Sequence, residues 1–128
     1  QTVAEVLLAV HRSYLKPVLA LMKKVKISGM AHITGGGFPD NLPRVLPKNV
    51  NAVVDRSTWT PLPVFQFIQE TGGVDREEMY RGFNMGIGMV IAVRPADQSR
   101  ALAALRTAGE QPVLIGHIEK GSGKTVLI

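Results

Sequence analysis

Between Pro17 and Val25, the residues Val18, Leu21, Met22 and Val25 recur at the i, i+3, i+4, i+7 spacing of one buried helix face, with lysines on the remaining positions. Pro17 suits a first helical turn. The short run AHIT then alternates: as a strand it places His32 and Thr34 on one face and Ile33 on the other. NVNAVVDRSTW is valine-rich and alternating, which predicts a second strand. Thr60 and Pro61 open a helix carrying Val64, Phe65 and Ile68, and Gly72 with Gly73 ends it. Asp75 and Glu78 have capping-box spacing, so DREEMYRGF reads as a separate short helix. GIGMVIAVR is a near-continuous apolar run of strand length, as expected of a central strand covered on at least one face. ADQSRALAALRTAGE predicts an amphipathic helix with Ala101, Leu102, Leu105 and Ala108 on its buried side, and PVLIGHIEKG a last strand. Strands separated by helices place the chain in the α+β class, as a two-layer domain whose mixed sheet of about four strands carries helices on one face.

Composition narrows this picture. The 128 residues fit one domain, residues 1–128, and 45% apolar content is enough for a core. No run approaches the ~20 apolar residues of a membrane span. QTVAEVLLAV lacks the basic start and cleavage pattern of a signal peptide, so a soluble, cytoplasmic protein is expected. With no cysteine there is no disulfide framework or thiol nucleophile. His11, His32 and His117 have no metal-ligand spacing, and no metal is expected. The net charge of +5 suits phosphorylated ligands, but the basic residues are too scattered for a nucleic-acid interface.

The stretch HITGGGFPDNLPR carries the first candidate chemistry. Consecutive glycines lose much backbone freedom on folding and are costly unless the backbone must bend unusually or lie close to something. A bare backbone at Gly35, Gly36 and Gly37 could present N–H groups to a phosphate; a plain tight turn is the alternative. Arg44 is near enough in sequence to fold back as a bidentate anion partner. His32 and Thr34 would point toward whatever the loop holds, with His32 as candidate proton-transfer residue or else a structural one. Asn41 offers a ligand contact or an Asx turn. In RGFNMGIGMV, Asn84 sits where a helix gives way to a strand, a common border of sites in layered folds, or else caps a turn. Met85 and Met89 read as core. GSGKT is not a phosphate-binding P-loop, because Ile118 stands where its first glycine belongs. GIGMVI has Ile91 in place of the third glycine of a dinucleotide fingerprint.

GMAHITGGGFPDNLPRVLP together with EMYRGFNMGIGMV resembles the carboxyl-terminal half of phosphoribosylformylglycinamidine cyclo-ligases, the AIR synthetases of purine biosynthesis. The resemblance runs through essentially the whole chain. Selenophosphate synthetase and thiamine-monophosphate kinase share the fold, but HITGGG with FNMGIGMV is typical of the cyclo-ligase. The resemblance implies an ATP-dependent ring closure of formylglycinamidine ribonucleotide to aminoimidazole ribonucleotide. It implies that ATP with magnesium is bound mostly by an amino-terminal half, which also makes most of a homodimer interface and which this sequence lacks. On that reading the chain is the substrate side of the enzyme, partnered by that half, inactive alone and holding a phosphorylated purine-pathway intermediate. A stand-alone phosphate-ligand or interaction module of the same fold is the alternative. One departure stands out: Val10 and His11 occupy the place of a usual Pro-Thr pair before Arg12, Ser13 and Tyr14. The missing half would leave an apolar surface, with weak self-association or a mobile segment around QTVAEVLLAV.

Overall fold

The computed structural model describes Thr2 to Ile128; Gln1, the first residue of QTVAEVLLAV, lies outside the described residues. The remainder of that stretch forms a short helix, α1 (Val3–Leu7), closed by a reciprocal Thr2–Glu5 capping box and burying none of its side chains. An irregular strap over residues 8–14 leads to α2 (Leu15–Met22). Leu21 and Val25 are buried as the periodicity predicts, whereas Met22 is 59% exposed. Leu8 at 80%, Val10 at 96%, Leu15 and Leu19 are exposed as well, so the expected apolar surface lies along the strap and α2.

Next come β1 (Ile27–His32), α3 (Gly37–Asn41) and β2 (Val50–Val54). The following helix, α4 (Pro63–Gly72), starts later than its sequence signals suggest. A residue before proline is pushed out of the helical region, and Leu62 is extended at ψ 148°, so the helix waits for the last proline of TPLP. Gly73 ends it in the left-handed conformation. Asp75 caps α5 (Arg76–Gly82) by accepting from the Glu77 N–H at 2.8 Å. Glu78 does not complete the box; it pairs with Arg81 at 3.1 Å. The chain ends with β3 (Met89–Val93), α6 (Gln98–Thr107), β4 (Gly116–Lys120) and β5 (Thr125–Leu127).

The α+β class holds, but among the described residues the strands divide between two sheets rather than forming one sheet of about four. β1 and β3 form an antiparallel pair, and β2 lies between β4 and β5, antiparallel to the first and parallel to the second. β3 is therefore not a central strand: among the described residues it pairs with β1 alone and is half-buried along its length. Nor do the helices keep to one face. Leu21 and Val25 of the α2 segment and Ala101 of α6 pack against Ile27, Ile91 and Val93 on one side of the β1–β3 pair. On the other side lies the main core, where Ala31 and Ile33 meet Ala52 and Val54 of β2, Phe38 and Leu42 near α3, and Met79 and Tyr80 of α5. Apolar periodicity states which face is buried but not which strand it pairs with, so the division into two sheets has no local signal.

β4 and β5 are adjacent in sequence yet flank β2, so the GSGK turn between them passes over the end of β2 instead of closing a hairpin. Asn51 fills the gap, its Oδ1 accepting from the N–H groups of Ser122 at 2.9 Å and Lys124 at 3.0 Å. The N–H groups of Gly121 and Gly123 bond to Asn49 and Val50 carbonyls. All four turn amides are thus satisfied within the protein, and GSGK has no free cradle for a phosphate.

Candidate functional site

The two quoted motifs meet at the end of the β1–β3 pair. Ile33, just past β1, donates its N–H to the Gly88 carbonyl at 2.8 Å, and His32 is in register with Met89. The HITGGG loop and the Asn84–Gly88 turn therefore lie side by side. Ile33 is 1% exposed while His32 and Thr34 are exposed, which confirms the predicted alternation.

Each of the three glycines answers to a different circumstance. A Cβ on Gly37 would fall 1.8 Å from the Tyr80 carbonyl oxygen and 3.3 Å from the Arg81 Cα, so α3 can dock on α5 only through bare backbone. Gly36 has φ 95° and a Cβ there would meet Asp40 at 2.7 Å. At Gly35, by contrast, φ is not positive and an added Cβ meets nothing within 4 Å. The N–H groups of Gly35 and Gly36 have no acceptor among the described residues. Packing and turn geometry thus account for two glycines and leave Gly35 as exposed, unencumbered backbone.

Asn41 holds this loop from inside. It is 5% exposed, and its Nδ2 donates to the carbonyls of Gly37 at 2.8 Å, Gly35 at 3.3 Å and Thr34 at 3.4 Å. Its Oδ1 accepts from the Thr34 hydroxyl at 3.4 Å. Asn41 is thus occupied in shaping the loop and does not extend from it. The turn Pro43–Val45 that carries Arg44 lies against the first half of β1, with the Val45 carbonyl 3.7 Å from a Cβ built on Gly29.

Asn84 accepts the Gly86 N–H at 2.9 Å, an Asx turn that leaves its amide nitrogen without a partner among the described residues. The next residue, Met85, is 4% exposed and has φ 50°, a left-handed conformation in a side chain that fills the core. Its carbonyl accepts the Trp59 indole N–H at 2.9 Å. Because glycine relieves the left-handed strain, by about 1 kcal/mol, Met85→Gly is expected to be at least as stable as Met85→Ala, reversing the usual order, as chemical denaturation would show.

The strap completes the site and was not legible as such in the sequence. Tyr14 lies in the notch left by Gly88, where a Cβ would come 2.0 Å from its hydroxyl. The His32 ring meets His11 edge-on at 5.3 Å and Tyr14 at 5.9 Å between centroids. Arg12 anchors the strap to Glu110, 2.6 Å away. Between strap, Asn84 turn and α4 opens a cavity of about 370 Å³, lined among others by His11, Tyr14, Phe65 and Asn84. A larger, shallow concavity of about 540 Å³ lies at the opposite end of β1, among the solvated Lys23, Lys24 and Lys26, away from both motifs. Asp55, whose carboxyl is held below its ordinary range by the hydroxyl and then the N–H of Ser57, caps the turn after β2 and is not part of the site.

Among the described residues no three His, Asp or Glu side chains converge as metal ligands. The GSGK turn, its amides satisfied, adds no cradle for a nucleotide phosphate. No helix is long and apolar enough to cross a membrane.

The family described as AIR synthase related protein, C-terminal domain, matches residues 1–128. The chain is similar to proteins named phosphoribosylformylglycinamidine cyclo-ligase, with 48% identity over 98% of its length for that of Caldicellulosiruptor saccharolyticus. For those of Bacillus subtilis and Alkaliphilus metalliredigens, identity is 47% over 94% and 42% over 99% of the chain. It spans only 37%, 35% and 37% of the length of these three relatives. The family match over its full length, on a sequence whose two motifs converge on one site, places this chain among the AIR synthase related proteins as a C-terminal domain.

Proposed function

We propose that residues 1–128 form the substrate-side domain of an ATP-dependent cyclo-ligase that closes formylglycinamidine ribonucleotide to aminoimidazole ribonucleotide in the cytoplasm. ATP, magnesium and the dimer contacts belong to an amino-terminal half beyond this sequence. The observation that carries the reading is Gly35: the fold does not require a glycine there, whereas a phosphate approaching the free N–H groups of Gly35 and Gly36 does. Thr34, on the exposed side beside them, would turn its hydroxyl from the Asn41 Oδ1 it now serves to the ligand. His32, one strand step from the loop, is the candidate for moving a proton during ring closure, and Asn41 acts by positioning.

Gly36→Val would confound folding with binding, because both φ and Asp40 oppose it. Gly35→Val separates them. It is expected to leave the melting temperature nearly unchanged while weakening formylglycinamidine ribonucleotide roughly tenfold or more, the loss of about 1.4 kcal/mol. Calorimetric titration of both proteins tests this, and equal affinities would overturn the phosphate assignment. The domain alone, supplied with ATP and substrate, is expected to form no aminoimidazole ribonucleotide; appreciable product would overturn the division of labour.

A further inference from the structure

Trp59, the one tryptophan of the chain, follows β2 on a short segment capped by Asp55, and its half-buried ring packs against the main core. Toward the glycine loop, that ring lies 5.7 Å between centroids from Phe38, the residue after Gly37. It also meets Tyr80 edge-on at 6.4 Å, and the Tyr80 carbonyl is what Gly37 packs on. Toward the second loop, the indole Nε1–H donates to the Met85 carbonyl at 2.9 Å. That carbonyl belongs to an unusual turn. The Ile87 N–H donates to the Asn84 carbonyl at 3.0 Å, and both residues between have positive φ, 50° at Met85 and 94° at Gly86. Turns of this kind are made mostly from Gly, Asn and Asp, because a longer side chain at positive φ persists only where its surroundings fix it. Met85 has two such restraints: its own side chain, buried in the core, and the indole N–H on its carbonyl.

We propose that Trp59 is a positioning residue that sets the Asn84 turn in register with the glycine loop. It acts through other residues, Phe38 on one side and Met85 on the other. A displacement of α3 shifts Phe38 against the indole, and the single indole donor passes that shift to the Met85 carbonyl, so the two loops order together. The direct bond between the loops, from the Ile33 N–H, reaches Gly88, beyond the turn, and leaves Asn84 to be placed by this second connection. The assignment concerns how the loops are held and stands whichever ligand they receive.

A single tryptophan makes the test specific. Biosynthetic replacement by 3-benzothienylalanine exchanges the indole N–H for sulfur at this position alone and keeps the shape of the ring. Amide exchange followed by NMR at Gly86 and Ile87 is expected to quicken about tenfold, while the Ala52 and Ile128 amides of the β2–β5 ladder change less than about twofold. Replacement by 5-fluorotryptophan, which keeps the donor, should leave all four amides as they were. Trp59→Phe gives the same contrast in an encoded variant. The connection itself is read from Phe38→Leu, on the glycine-loop side. With tryptophan in place it should quicken exchange at Gly86 and Ile87 about threefold or more, and with benzothienylalanine it should add almost nothing. Unchanged exchange at Gly86 and Ile87, equal quickening of all four amides, or the same effect of Phe38→Leu with and without the donor would each overturn the assignment.

Discussion

Gly37→Ala is expected to destabilise the domain by about 3 kcal/mol or more, lowering its melting temperature by on the order of 10 °C. Two costs add. The residue has φ 60°, where a Cβ costs ~1–2 kcal/mol. The new methyl would also come 1.8 Å from the Tyr80 carbonyl oxygen and 2.8 Å from its carbon. Those are backbone atoms of α5 that cannot swing aside as a side chain would, so α3 must lift away from α5 and pull Phe38, a fully buried ring, out of register with Trp59 and Tyr80. Against a total stability of ~5–15 kcal/mol this is a large fraction. Gly35→Ala, two positions earlier, is the control and should melt with the unmodified protein. Equal thermal shifts for the two would mean the close approach of α3 and α5 is not what Gly37 secures.

Asn41→Asp is expected to cost about 2–4 kcal/mol and to loosen the glycine loop, although the two side chains have nearly the same shape. The substitution exchanges an amide donor for an oxygen at the point where the carbonyls of Thr34, Gly35 and Gly37 converge. In a buried carboxylate the oxygen replacing Nδ2 would face carbonyl acceptors; a protonated carboxyl has a single hydrogen to offer them. Asn41→Ala leaves the same carbonyls unpaired but adds no repulsion, and should be the milder change. Urea denaturation with hydrogen exchange at residues 34–37 reads both effects. A variant ordered as tightly as the original would show the loop to be held by the α3–α5 contact alone.

Much of the local structure was legible because its causes are local. Gly73 had to end α4, Asp75 had to cap α5, and the alternation through AHIT correctly buried Ile33 and exposed His32 and Thr34. Met22 followed the helical period yet is exposed, since periodicity identifies an apolar stripe but not whether a neighbour covers it. Pairing was illegible because it depends on where distant segments land, and nothing between Gly37 and Arg44 states that the chain turns back along β1. The triple glycine was visible at once, but separating Gly35 from its neighbours required the carbonyl of Tyr80 and the side chain of Asp40. His11 registered only as a departure from a family pattern; its place against His32 is a contact across 21 residues, which the spacing does not reveal.

The arrangement of β2 between two later strands bears on how the polypeptide emerges from the ribosome. VNAVV is synthesised more than sixty residues before β4 and β5, the strands that flank it in that sheet. Until both arrive, its two edges carry unpaired backbone groups beside an apolar, β-branched face, the condition under which nascent strands recruit one another. Asn49 and Asn51 flank and interrupt the valines, and Asn51 later bonds the turn that joins β4 to β5. One side chain thus lowers the stickiness of the waiting strand during synthesis and fastens the sheet when its last strands close around it.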